Sequence, residues 1–90
     1  MEFEWDPVKD RRNQSKHGIG FEEAATVFGD DFALSWKDQE HSDQEYRTLT
    51  LGYTDTHRLV IVAHTKREDR TRIITAREAT AIERRLYESG

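Results

Sequence analysis

Arg58-Leu59-Val60-Ile61-Val62-Ala63-His64-Thr65 is the stretch on which the fold turns. Its five consecutive apolar residues show no alternation, so the segment is apolar on both faces, as a central strand is. Turn signals bracket it. Asp55-Thr56-His57 precedes it, and Lys66 to Arg70 follows. Beyond those turns lie two further strand patterns, Tyr46 to Thr54, where Leu49, Leu51 and Tyr53 alternate with threonines, and Thr71 to Thr75. Phe32, Leu34 and Trp36 alternate as another strand, joined to Tyr46 by a polar, acidic connection from Lys37 to Glu45. Short turns between four successive strands favour an antiparallel meander.

Helices flank this meander. Phe3 and Trp5 alternate with Glu2 and Glu4 as a short half-buried strand. Asp6-Pro7 then starts a helix, since aspartate caps well and proline at the first helical position loses no hydrogen bond. Lys16-His17-Gly18 stops it, with cations at the negative end and then glycine. Inside that helix Val8 is the one large apolar residue, so the helix is either solvent-bridging or held by tertiary contacts. Phe21 to Phe28 reads as a second short helix, with Phe21, Ala24, Ala25 and Phe28 on one face. Thr75-Ala76-Arg77-Glu78 has the form of a capping box, which predicts a final helix with Ala79, Ile82 and Leu86 as its apolar stripe. The expected class is α+β: a short strand, two helices, a four-stranded antiparallel meander and a C-terminal helix.

Ninety residues predict one domain over 1–90. Only 34% of the chain is hydrophobic, below the usual ~45–50%, so the core is small. Cysteine is absent, which excludes disulfides and thiolate chemistry. There is no apolar run near ~18 residues and no basic, apolar leader at the N-terminus, so a cytoplasmic protein without membrane contact is the simplest expectation. The net charge of −4 hides an asymmetry. Residues 1–45 hold 12 acids and 5 bases, whereas residues 46–90 hold 6 acids and 9 bases. A basic second half fits a nucleic-acid or acidic protein partner.

That basic charge concentrates in Lys66-Arg67-Glu68-Asp69-Arg70-Thr71-Arg72-Ile73-Ile74-Thr75-Ala76-Arg77. Arginine suits phosphate because its planar fork donates paired hydrogen bonds and stays charged. Arg67 and Arg70 fall in the expected turn, Arg72 in the strand and Arg77 in the expected first helical turn. A cation there opposes the helix dipole, yet a helix N-terminus is also an anion site. The alternative is a solvated face in which Arg67 and Arg70 pair with Glu68 and Asp69. None of the four histidines has metal-ligand spacing, and no cofactor motif is present. His64, near the basic turn, and His17, beside Lys16, could each move a proton near neutral pH, or simply be surface or satisfied histidines. His41 reads as solvated. Lys9, Asn13 and Lys16 make one polar line along the first helix, either exposed or facing a partner. Trp5 and Trp36 read as core anchors.

The joint pattern Phe3-x-Trp5-Asp6-Pro7-x-Lys9-x-x-x-Asn13-x-x-Lys16-His17-Gly18-Ile19-x-Phe21-x-Glu23-Ala24 resembles the BrnT family of type II toxins. Glu45-x-Arg47, Gly52, Thr65-x-Arg67, Arg72-Ile73-Ile74-Thr75-Ala76-Arg77 and Glu83-Arg84-x-x-Tyr87 extend the resemblance over nearly the whole chain. It implies a RelE-like fold and a ribonuclease toxin that inhibits translation. It also implies a BrnA-like ribbon-helix-helix antitoxin, two toxins assembled with two antitoxins, and operator DNA reached through the antitoxin. Cleavage in such enzymes needs no metal: the ribose 2′-OH attacks the adjacent phosphate. In the roles that resemblance implies, Arg67 and Arg77 would hold the phosphate and Arg72 would support them. Glu68 or His17 would act as base or acid, with His64 an alternative. Lys9 and Lys16 would steer RNA. The competing expectation, from charge alone, is a non-catalytic module whose basic turn docks a protein or DNA.

Overall fold

Leu59 to Ala63 are all buried, and they form the first half of β4 (Leu59–Arg67), the middle strand of a five-stranded sheet. This computed structural model describes residues 1–43 and 45–90. The other strands are β1 (Glu2–Glu4), β2 (Leu34–Lys37), β3 (Arg47–Tyr53) and β5 (Arg70–Glu78). Their order is β1-β5-β4-β3-β2. Strands β2 to β5 form the expected antiparallel meander, and β1 adds to its edge in parallel, with Glu2 beside Arg70 and Glu4 beside Arg72. Phe32 lies outside β2 and is exposed.

The first helix, α1 (Pro7–His17), has the expected ends. Asp6 Oδ1 accepts from the Val8 N–H at 2.9 Å, and Gly18 closes the helix at φ 68°. What holds it is not an apolar stripe but Asn13, which is buried rather than part of an exposed polar line. Its Nδ2 donates to the carbonyls of Ile19 (2.9 Å) and Ala76 (2.8 Å), and its Oδ1 accepts from the Ala76 N–H at 3.2 Å. Strand β1 pairs with β5 only as far as Arg72. Farther along, the side-chain amide of Asn13 satisfies both backbone groups of Ala76, as a neighbouring strand would.

The expected second helix is split into α2 (Phe21–Ala25) and a 3-10 turn (Thr26–Gly29). The Asp10 carboxylate accepts from the Phe21 N–H at 2.8 Å and joins α2 to α1. Phe21, Ala24 and Val27 are fully buried against Val60, Val62, Ile73 and Ala76, which makes the main core between helices and sheet. Trp5 packs edge-on to Phe21, ring centroids 6.2 Å apart.

The last helix starts later than its sequence signal indicates. Strand β5 continues through Arg77 to Glu78, and α3 spans Ala81–Ser89. Thr80 is its cap and Glu83 completes the capping box, so Thr75 and Glu78 do not. Both pairs have the same spacing. The choice is made by pairing, because Val60 and Ile61 on β4 take Glu78 and Arg77 as ladder partners. Helix α3 rests on the second sheet face, where Leu51, Leu59 and Ile61 meet Trp36, Tyr53, Ala79 and Tyr87. Ile82 and Leu86 are exposed, so the expected stripe is not the buried one. The Tyr87 hydroxyl donates to Asp30 Oδ2 at 2.7 Å, and the Tyr53 N–H donates to the same oxygen at 2.8 Å.

Candidate active site

Alternation along paired strands decides which arginines share a face. Arg47 opposes Thr65, Thr65 opposes Arg72, and Arg67 opposes Arg70, so these side chains lie on the face away from α2. Arg77 joins them through an irregularity. The β4–β5 register shifts between Ala63 and His64, where Thr75 faces Ala63 but Ile73 faces His64. Ile74 is therefore an extra residue, and such a bulge re-aims the residues beyond it. Arg77 returns to the face that carries Arg72, five residues earlier. It is a strand residue, not one in the first turn of a helix.

Most of these cations already have partners. Arg72 Nη1 donates to Glu4 at 2.7 Å, and Arg70 lies 3.8 Å from Glu2. The in-register acids of β1 thus offset two arginines of β5. Arg77 makes two parallel hydrogen bonds to Glu83, at 2.8 and 2.9 Å. Those bonds, opposed by burial, raise the Arg77 pKa further. Arg67 is exposed and only 4.0 Å from Glu45. Arg67 and Arg77 line different grooves. Arg77 opposes Ile61, six residues from Arg67 along β4, which at ~3.3 Å per residue is roughly 20 Å. They lie toward opposite ends of one face.

Arg47 lies between them, a residue without an expected role. Among the described residues its Nε is buried without a hydrogen-bond partner, and Glu45 Oε1 lies 3.8 Å from it. An unsatisfied charged donor in a half-buried arginine is costly, and such groups mark candidate anion sites. Arg47 borders a groove of about 310 Å³ formed with Lys9, Arg12, Lys16, His17 and Thr75. It also borders a second of about 480 Å³, whose lining includes Trp36, His41, Leu49, Ala63, Thr75 and Arg77. A third, at the turn end, joins Arg47 to His41 and Arg67. The structure therefore brings together Lys9, Lys16, His17 and Arg47 around one groove, and places Arg67 and Arg77 on the two flanking ones. The signal that could have found Arg47 is the Glu45-x-Arg47 motif at the entrance of a strand.

Two expected site residues lie elsewhere. His64 points to the helical side, so it does not flank the basic face. Its Nε2 is 2.7 Å from Thr50 Oγ1 and its ring meets Phe28 edge-on at 4.8 Å. Burial pushes its pKa down to about 4, which keeps it neutral at pH 7. Glu68 sits exposed at the tip of the β4–β5 turn with φ 56°, and it lines none of the three grooves around Arg47. Among the described residues, no three His, Asp or Glu side chains gather as a metal site. No helix is long and apolar enough to cross a membrane.

The sequence model of a family described as ribonuclease toxin, BrnT, of type II toxin-antitoxin system matches residues 5–83. No curated protein matches the sequence. Among solved structures, the fold is similar to that of the Brucella abortus ribonuclease toxin BrnT, with a TM-score of 0.69. That match has 20% sequence identity and covers 89% of this chain and 97% of the Brucella chain. At this identity the likeness speaks for the fold.

Proposed function

The chain belongs to the BrnT family of ribonuclease toxins of type II toxin-antitoxin systems, and on that footing we propose that it cuts RNA without a metal on the sheet face that carries Arg47. The whole of residues 1–90 then serves as one toxin domain in the cytoplasm. Its activity inhibits translation and growth.

The observation that carries this reading is the half-buried Arg47, whose Nε has no hydrogen-bond partner among the described residues, set between a groove with Lys9, Lys16 and His17 and another with Arg77. In the proposed reaction the ribose 2′-OH attacks the adjacent phosphorus and the bond to the 5′ oxygen breaks. The products are a 2′,3′-cyclic phosphate and a 5′-OH end. Charge builds on the non-bridging oxygens as the pentavalent phosphorus forms, and a fixed guanidinium stabilises it where water would have to reorient. Arg47 fills that role. His17, in the same groove, transfers a proton. Lys9, Arg12 and Lys16 attract the RNA backbone. Arg67 and Arg77 contact flanking phosphates instead of sharing one. Arg72, held by Glu4, supports the strand between them. Glu68 and His64 take no part in proton transfer.

The partner in this proposal is a BrnA-like ribbon-helix-helix antitoxin, assembled as two toxins with two antitoxins and bound to operator DNA through the antitoxin. Incubating purified protein with RNA and analysing the ends tests the reading. Cyclic-phosphate ends formed in a chelator support it, and their absence overturns it. A non-catalytic docking module remains the second reading, favoured by the ion pairs that already occupy Arg70, Arg72 and Arg77. Growth arrest on induction, relieved by co-expressing a neighbouring antitoxin gene, separates the two.

A further inference from the structure

We propose that His41, oriented by Asp38, is the general base that takes the proton of the attacking 2′-hydroxyl, with Arg47 beside it and His17 as the acid across Arg47. This rests on the reading that RNA is cut on this face.

Asp38 is a buried carboxylate at the end of β2. The loop around it is tightly built. The Asp38 N–H donates to the Arg47 carbonyl at 2.9 Å, and Ser42 Oγ donates to the Asp38 carbonyl at 2.6 Å and accepts from the Arg47 N–H at 3.0 Å. The Asp38 carboxylate accepts from the Glu40 N–H at 3.2 Å. It also lies 3.1 and 3.3 Å from His41 Nδ1. An ionised carboxylate can only accept, so Nδ1 is the donor to it, and in the neutral ring that tautomer leaves the lone pair on Nε2. His41 remains 58% exposed. It lines both the turn-end groove with Arg67 and the groove with Thr75 and Arg77, and Arg47 borders each of them. A loop pair of purely structural use would not need an exposed ring in the same grooves as a guanidinium whose Nε lacks a hydrogen-bond partner among the described residues.

The step balances. His41 Nε2 accepts the 2′-OH proton as the 2′ oxygen bonds to phosphorus. The phosphorus–5′-oxygen bond breaks, and that oxygen takes a proton from the His17 imidazolium. Exchange with water restores both histidines. The carboxylate of Asp38 stabilises the imidazolium that forms, as an orienting acid does for a catalytic histidine.

The charged groups that share these grooves with His41 are Asp38, Glu40 and Asp43 from its own connection, Glu45 after it, and Lys37, Arg47, Arg67 and Arg77 from the strands. The test uses the full chain and a short fluorescent oligoribonucleotide, with single-turnover rates from pH 5 to 9. His41→Gln keeps a donor for Asp38 but cannot take a proton. The expected result is a rate loss of roughly 10²–10⁴-fold, with unchanged Tm and unchanged affinity for the 2′-deoxy oligonucleotide. The rising limb of the pH profile should vanish, and added imidazole should restore part of the rate to His41→Ala. If His41→Gln keeps the wild-type rate and pH profile while Arg47→Ala loses activity, His41 is not the base although the face is the site. If the wild-type protein makes no cyclic-phosphate ends, the reading of the face itself fails.

Discussion

Glu83 ties Arg77 of β5 to the first turn of α3 with one carboxylate. Its Oε1 accepts from Arg77 Nη1 and from the Thr80 N–H, both at 2.8 Å, and its Oε2 accepts from Arg77 Nη2 at 2.9 Å. The helix cap and the strand arginine therefore depend on the same side chain. Hydrogen bonds from Arg77, and then from Thr80, outweigh burial and hold the Glu83 pKa down at about 2, against an ordinary 4.5.

A carboxyl with a depressed folded pKa stabilises fully above its unfolded value, and that stability is lost as pH falls through the folded value. Acid titration should therefore weaken the protein between about pH 4.5 and 2 through this group. Glu83→Gln should cost about 1–2 kcal/mol at pH 7 and flatten that part of the curve. Urea unfolding across the pH range measures both.

Asn13→Ala should cost about 2–4 kcal/mol, because it leaves the buried N–H and C=O of Ala76 without partners. Asn13→Asp should also destabilise, since a carboxylate cannot donate to the Ile19 and Ala76 carbonyls. A lower urea midpoint with an unchanged m-value is the expected readout.

Gly52→Ala should destabilise by about 1–3 kcal/mol through overpacking. A Cβ there would meet Ala33 Cβ at 3.0 Å, Val27 Cγ1 at 3.1 Å and Asp30 Oδ2 at 3.2 Å. Asp30 is also where Tyr87 anchors α3, so far-UV circular dichroism should report partial loss of helix alongside the lower Tm.

Arg47→Ala should reduce RNA cleavage by roughly 10²–10³-fold, the usual effect of losing a donor aimed at developing charge. Arg47→Lys should restore little, because an ammonium lacks the planar fork. Arg70→Ala, which removes an exposed arginine near Glu2, should stay within about twofold of wild type. Initial rates on one oligoribonucleotide compare all three.

Lys9→Ala and Lys16→Ala should each weaken RNA binding and lower the slope of log affinity against log salt by about 0.7, the counterion release expected per single-strand phosphate contact. Binding of a 2′-deoxy oligonucleotide at several salt concentrations gives the slope without cleavage.

Local signals were readable where the chain decides its structure locally. Asp6-Pro7 and Gly18 bound α1 as expected because caps act on adjacent backbone. The alternating strands were legible for the same reason. The β5–α3 boundary was not, since Thr75-x-x-Glu78 and Thr80-x-x-Glu83 look alike and only pairing with β4 separates them. Asn13 was hidden in another way: a polar side chain in a polar helix gives no sign that it is buried. The basic residues of the candidate site were visible, but their grouping was not. Grouping depends on strand register and on the fold of residues 38–42, which brings Arg47 and His41 to common grooves.

The extra residue at Ile74 makes chain length a constraint of its own. Arg72 and Arg77 are five positions apart, an odd interval, and an unbroken strand would turn them to opposite faces. Losing Ile74 would leave the two arginines four positions apart on an unbroken strand, still on one face, whereas keeping all five positions while flattening the bulge would turn Arg77 into the helical layer, away from Glu83. A one-residue gap at the bulge therefore keeps the phase, whereas a change that irons the bulge out at constant length inverts it. Family members that keep both arginines on one face must keep this odd interval together with its bulge, or else change the interval by one residue and lose the bulge with it.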